Sequence, residues 1–201
     1  MIDGQAVDRR VRRTQGMIID AFLSLCQEKE VGDIIIKDIT DRANVNRSTF
    51  YAHYEDKDDL LSKITNEKLA ALARLAREQT MPYQPDFDTL DPYYVALFEH
   101  LADNKLFYSV ILGRLADSPF ADQMAGTIRE SFYTRISNIS KEQKLLIPLD
   151  ILLDYISFSI QGIITKWLAQ QMIYSPHHMA LQLTRLSLLG IYNAMGAAEK
   201  R

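Results

Sequence analysis

KDITDRANVNRSTFYAHYEDK, residues 37–57, sets two short helices on either side of a sharp turn. Ile36, Ile39 and Ala43 fall on one helical face, and Val45, Phe50 and Tyr54 mark the inward side of the next helix. Asn44 stands where the chain must turn, and Asn tolerates the left-handed backbone conformation such a turn needs. Asn46 supplies a side-chain oxygen able to cap the free N–H groups of the helix that follows. With Phe50 directed to the core, a step of roughly 100° per residue returns Tyr54 inward and sends Ser48 and Ala52 almost opposite, flanked by Tyr51 and Thr49. Arg47, Ser48, Thr49, Tyr51, Ala52 and His53 are left to do something other than fill a core.

That outer face is small, hydroxylated and aromatic, and it can lie close against a groove of double-stranded DNA. Ser and Thr hydroxyls contact phosphates or either base type, and Ala and Thr methyls suit the thymine methyl. Tyr51 and His53 suit phosphate oxygens, which set register without reading sequence. Lys57 opens the next helix, so its ammonium and that helix N-terminus could hold the same strand. An ordinary solvated helix could also be rich in Ser, Thr and Tyr; the preceding turn and the inward aromatic pair argue against that reading.

Residues 10–61 resemble the DNA-binding domain of the TetR family of bacterial one-component regulators. The likeness is carried by Asp38-Ile39, Ala43-Asn44-Val45, Ser48-Thr49-Phe50-Tyr51-Ala52-His53-Tyr54 and Asp56-Lys57-Asp58-Asp59-Leu60-Leu61. The resemblance implies that Ser48, Thr49, Tyr51 and His53 face DNA with Lys57 on a phosphate; Arg47 and Lys37 complete the candidate DNA-binding set. Two positions depart from the family pattern. Asn44 stands where the family has Gly, and Ile35 where it often has a Thr that caps the second helix. Either that cap is missing or the helix starts elsewhere, from Asp33, which makes Lys37 a weaker candidate than Lys57.

Composition bounds the rest. The 201 residues suffice for one domain or two small ones, and 47% apolar with 24% charged residues is ordinary for a globular chain. No apolar run approaches the roughly 20 residues of a membrane span, and the polar, basic start is no secretory signal. One cysteine, Cys26, excludes an intrachain disulfide, suits a reducing cytoplasm and is expected to be a small core residue. The net charge of −3 gives no global pull toward nucleic acid. Arg9, Arg10, Arg12 and Arg13, against Asp3 and Asp8, are either a solvated end or an arm lying along the DNA backbone or in the minor groove.

The periodicity is helical throughout, so the expected class is all-α. Helices are expected at about 10–27, over the two short segments, and at 57–79, 93–102, 105–116, 119–137, 148–172 and 176–195, with a Pro-rich loop at 81–92. Ser118-Pro119 and Ser175-Pro176 each read as an N-cap followed by proline at the first helical position. The expected division is a helix-turn-helix DNA-binding domain at 1–60 and a ligand-binding and dimerisation domain at 61–201. The last two long helices are apolar on more than one face, so each is either a central core helix or has one face against another protomer. The resemblance implies the second, a homodimer through those helices.

The resemblance also implies a small-molecule pocket in the second domain. Candidate lining comprises Tyr93, Tyr94, Phe98, Phe107, Tyr108, Phe132, Tyr133, Tyr155, Phe158 and Trp167, each of which could equally be plain core. No phosphate loop, nucleophile elbow or His-Glu-x-x-His motif is present. His177 and His178 are adjacent and diverge on a helix, and His100 has no ligand partner at helical spacing. No enzyme activity, metal or cofactor is expected. The expected function is a cytoplasmic transcriptional regulator, nucleoid-associated when bound, that represses from a pseudo-palindromic operator as a dimer. A small, largely apolar effector of unknown identity would release it. The alternative is an activator or architectural DNA-binding protein without a small-molecule switch.

Overall fold

A computed structural model of the chain describes residues 3–78, 89–115, 118–139 and 145–192, and among them every regular element is helical. The chain divides into two compact units, Met1–Lys68 and Leu69–Arg201, and the division falls inside one continuous helix.

In the first unit, α1 (Asp3–Glu28) buries Ile18, Phe22 and Leu25 at the expected helical spacing, together with Ala21 and Cys26. It starts well before Arg10. Arg9, Arg10, Arg12 and Arg13 are therefore turns of an exposed helix and form no extended arm. A 3-10 turn at Val31–Asp33 leads to α2 (Ile36–Ala43), which packs on α1. Arg42 of α2 reaches back with two 2.8 Å bonds to the Glu28 carboxylate and one of 3.0 Å to Ser24. Those bonds hold the Glu28 carboxyl below the usual carboxylate range.

The start of α2 resolves the question raised by Ile35. The helix begins at Ile36 with no side chain able to cap it from Ile35; instead the Ile35 N–H donates to the Asp38 carboxylate at 3.1 Å. Half of a capping box survives, the half that runs backward. Lys29 binds the same carboxylate, and that bond first, the Ile35 N–H second, lowers the Asp38 pKa.

α2 ends at Asn44, whose φ of 53° and ψ of 47° are left-handed as the turn requires. The Asn44 N–H donates to the Asp41 carbonyl at 3.3 Å and the Val45 N–H to the Thr40 carbonyl at 3.0 Å, the two bonds of a Schellman motif. A β-branched side chain there meets its own carbonyl. Asn44→Val should therefore cost about 1–2 kcal/mol, whereas Asn44→Gly should melt at or above the parent temperature. Thermal unfolding of the two variants checks this, and equal midpoints would mean the turn does not need a positive φ.

α3 (Arg47–Tyr51) follows. Asn46 does not cap it through its side chain, contrary to expectation. The Thr49 N–H, a usual donor to such a cap, gives its hydrogen to the Asn46 backbone carbonyl at 3.0 Å instead, which tightens the first turn. α4 (Lys57–Glu78) is capped by Asp56, whose carboxylate accepts from the Asp58 and Asp59 N–H groups at 2.9 and 2.8 Å. Leu60 and Ile64 of this helix are buried in the first unit and Leu72 and Ala76 in the second.

The second unit holds α5 (Pro92–Asp103), α6 (Lys105–Ser109), α7 (Phe120–Ile139), α8 (Leu149–Ala169) and α9 (Pro176–Leu186). α5 packs on α9, α7 on α8 and α6 on α8. Pro92 opens α5 and does not close a loop: the Asp91 carboxylate caps it by accepting the Tyr93 N–H at 2.9 Å. The other carboxylate oxygen of Asp91 pairs with Arg135 of α7, and the Asp91 N–H donates to Thr184 of α9 at 3.0 Å. The Arg135 guanidinium lies 5.1 Å from the Tyr93 ring centre and 5.5 Å from that of Phe132.

Ser175 caps α9 as expected, accepting the His178 N–H at 3.2 Å. Ser118 does not cap α7. Its hydroxyl is buried without a hydrogen-bond partner among the described residues, and the Pro119 carbonyl opens the helix. α8 stops at Ala169, short of Met172, because Gln171 and Met172 turn left-handed at φ 58° and 56°. Two expected continuous helices change pitch: α6 passes into a π segment at Val110–Arg114 and α9 into another at Ser187–Tyr192. Of the expected features, 81–88 of the loop, Gln79, Ala116 and 193–195 lie outside the described residues, as do the side chains of Asp3, Asp8, Ile191 and Tyr192.

Candidate nucleic-acid interface

Phe50 is fully buried and Tyr54 nearly so, with ring centres 5.6 Å apart; they pin the underside of α3. Tyr51 is 54% exposed and sits edge-on to Phe50 at 5.7 Å, so one core ring orients the outward one. Arg47, Ser48 and Ala52 are exposed, and Thr49 and His53 are half-buried on the flanks. Among the described residues, the side chains of Arg47, Ser48, Thr49 and Tyr51 make no hydrogen bond within the protein. Their donors and acceptors are turned to solvent on one short, rigid face. Lys37 is exposed in the first turn of α2.

Lys57 is placed differently. Its ammonium donates to the carbonyls of Val31, Gly32 and Ile34 at 2.8, 3.1 and 3.2 Å. The N-terminus of α4, where it sits, is already capped by Asp56, and Glu55, Asp58 and Asp59 add negative charge beside it. Lys63, one turn and a half further along, donates to the His53 carbonyl at 3.1 Å and to Asp59 at 2.8 Å, and lies 5.6 Å from the Tyr54 ring centre. The Lys63 bond, followed by the Glu55 N–H, holds the Asp59 carboxyl low. Sequence reasoning missed Lys63, Asp56 and Asp59. Asp56 before a helical run was a readable cap signal; the reach of two lysines to distant carbonyls was not.

In the second unit, Tyr93, Tyr94, Phe98, Phe107, Tyr108, Phe132 and Trp167 are buried, whereas Tyr133, Tyr155 and Phe158 are exposed. The buried rings pack edge to face, as Phe98 does on Trp167 at 5.1 Å and Phe107 on Phe120 at 5.4 Å. Their hydroxyls find partners: Tyr94 meets Ser187 at 2.7 Å and Tyr108 meets His100 at 3.0 Å. Burial pushes the Tyr93 phenol up to about 12. Tyr155 and Phe158 line an open groove of about 660 Å³ with Gly162, Ile163, Leu186 and Leu189 of α8, α9 and the segment after it. Among the described residues, no group of three or more His, Cys, Asp or Glu side chains is placed to hold a metal ion, and no helix is long and apolar enough to cross a membrane.

A trihelical unit with a left-handed turn before a short, outward-facing helix is a helix-turn-helix. Two family descriptions match the chain: "Bacterial regulatory proteins, tetR family" over residues 18–64 and "Transcriptional regulator C-terminal region", a TetR C-terminal family, over residues 88–188. The chain belongs to the TetR family of transcriptional regulators. The HTH-type transcriptional regulator YxbF of Bacillus subtilis is 40% identical over 67 residues, which cover 33% of this chain and 18% of YxbF. The dhaKLM operon transcriptional activator DhaS of Lactococcus lactis is 29% identical over 98 residues, 49% of this chain and 48% of DhaS. The match thus spans less than half of either relative. A solved TetR regulator from Streptococcus agalactiae is 28% identical with a TM-score of 0.60, covering 92% of this chain and 98% of that one. The fold is shared with a solved dihydroxyacetone kinase operon activator DhaS, at a TM-score of 0.63 and 22% identity over 90% of this chain and 98% of that one.

Proposed function

We propose that this TetR-family regulator binds a pseudo-palindromic operator as a homodimer, represses from it, and is released by a small, largely apolar effector. Residues 1–60 read DNA in this proposal, and residues 61–201 bind the effector and dimerise. The observation that carries the DNA side is the outer face of α3, where Arg47, Ser48, Thr49 and Tyr51 offer their polar groups to solvent while Phe50 fixes the pose from beneath. Lys57, the half-buried His53 and, less centrally, Lys37 supply further phosphate contacts in this proposal. The effector side rests on the density of aromatic side chains in α5, α6 and α7. Binding there tilts α4, which runs through both units, and lowers operator affinity by a coupling energy of about 1–3 kcal/mol.

Tyr51→Ala and Thr49→Ala test the DNA side. Each should lose about 1–3 kcal/mol of binding, roughly 5- to 150-fold, against a duplex selected from a random pool. Because neither side chain fills the core, thermal stability should fall by no more than about 1 kcal/mol. A footprint of that duplex should show two symmetric half-sites about 34–36 Å apart or a multiple. Unchanged binding by both variants would point to an interaction protein instead. A second reading is activation in place of repression, favoured by the likeness to DhaS, which is an operon activator in Lactococcus lactis. A reporter driven from the selected site, with and without the regulator, separates the two signs.

A further inference from the structure

We infer that Lys63 is a positioning residue of the DNA-reading unit: from the second turn of α4 it holds the His53 carbonyl and thereby sets the pose of His53 past the end of α3. The inference rests on the DNA-binding reading for its functional meaning, while the placement itself belongs to the folded first unit.

His53 is held at its two ends by different helices. Its N–H donates to the Phe50 carbonyl of α3 at 2.9 Å, and its carbonyl accepts from Lys63 Nζ of α4 at 3.1 Å. Among the described residues no other group donates to that carbonyl. Fixing N–H and C=O together leaves φ and ψ little freedom, and with them the direction in which the imidazole leaves the chain. Without Lys63 the carbonyl falls to water, and only the α3 side of the residue stays fixed.

Lys63 is itself held in place. Of the three N–H groups an ammonium carries, one goes to the His53 carbonyl and one to the Asp59 carboxylate at 2.8 Å, and the charge lies 5.6 Å from the Tyr54 ring centre. The same Asp59 oxygen accepts the Glu55 N–H at 3.0 Å, so the connection between α3 and α4 is tied to α4 at His53 and again at Glu55. Tyr54, between these ties, is 4% exposed and packs on Phe50. Ring and ammonium together fasten the exit of a five-residue helix too short to be stable by itself. With its charge compensated by Asp59, Lys63 acts on DNA through His53 and not by its own contact with a phosphate.

The test uses the full chain as wild type, Lys63→Met, Lys63→Arg, His53→Ala and the double variant Lys63→Met with His53→Ala. Methionine keeps an apolar stem over Tyr54 and removes both bonds; arginine again offers donors to a carbonyl and a carboxylate together. Binding to a duplex selected from a random pool should weaken roughly three- to tenfold in Lys63→Met and recover in Lys63→Arg. The slope of log K against log salt should match wild type in both. The Lys63→Met loss should vanish in the His53→Ala background, because the two residues act as one. In the free protein the His53 imidazole resonance, set by the Tyr54 ring 6.2 Å away, should move in Lys63→Met and return in Lys63→Arg. Wild-type affinity or an unmoved imidazole resonance in Lys63→Met would overturn the inference. So would an undiminished loss in the His53→Ala background, or a slope shallower by about 0.9 in Lys63→Met. Should Lys63→Met not fold, Lys63→Gln takes its place, since it removes the charge and shortens the reach. If wild type binds no duplex, the DNA reading has failed, and the His53 resonance alone decides whether Lys63 sets its pose.

Discussion

Phe50→Ala should cost the first unit about 3–5 kcal/mol and abolish DNA binding. Phe50 is fully buried, touches Tyr51 and Tyr54 ring to ring, and is the buried anchor of a helix of only five residues. A helix that short has no stability of its own in water, so its order comes from docking. Removing the anchor opens a cavity in a small core whose whole stability is on the order of 5–15 kcal/mol. The first unit should then melt at a much lower denaturant midpoint, and the outward face of α3 should lose its fixed pose before the unit unfolds. Phe50→Leu should fall between Ala and wild type. A Phe50→Ala midpoint within about 0.5 kcal/mol of wild type would show that α3 is not held by this ring.

Phe158→Asp should turn the proposed homodimer into a monomer. Ile151, Tyr155, Phe158, Leu186 and Leu189 are 57%, 61%, 56%, 55% and 61% exposed, and a cluster of large apolar side chains in water marks an association surface. Beside them a Cβ added at Gly162 or Gly190 would meet nothing within 4 Å in the chain itself, leaving room for a second backbone to approach. A carboxylate in the middle of such a face removes an aromatic anchor and adds a charge with no partner. Dimerisation should weaken by about 2–4 kcal/mol, roughly 30- to 1000-fold. Operator affinity should drop with it, because one half-site is then bound at a time, while the first unit keeps its thermal midpoint. Sedimentation at micromolar concentration reads the result; a wild-type chain already monomeric there would sink the proposed interface.

The helical class and the recognition unit were legible because their signals are periodic or local. Phe50 and Tyr54 return to one face every four residues, and Asn44 marks a turn that only a few residue types tolerate. The same holds for the double-sided character of α8, where Leu152, Ile156 and Ile160 are buried and Ile151, Tyr155 and Phe158 are not. What could not be read was which partner a polar group would choose. The Thr49 N–H that could have donated to the Asn46 side chain went to a backbone carbonyl, the Ser118 hydroxyl found no partner among the described residues, and Lys57 found acceptors 23 to 26 residues upstream. Such choices depend on how far a flexible side chain reaches across a packed fold, and spacing along the chain carries no trace of that. The π segments were hidden for another reason: a changed hydrogen-bond pattern over five or six residues repeats too briefly to register as a period.

Asp91 gathers three helices at a single buried residue: it starts α5, neutralises a guanidinium of α7 and, through its N–H, satisfies a hydroxyl of α9. If α5 frayed from this end, it would leave Arg135 charged and half-stranded among aromatic rings and Thr184 short of a donor. Local opening there thus costs nearly as much as parting all three helices. The natural unit of unfolding is consequently the trio and not the single helix, a foldon whose amides should exchange with solvent together.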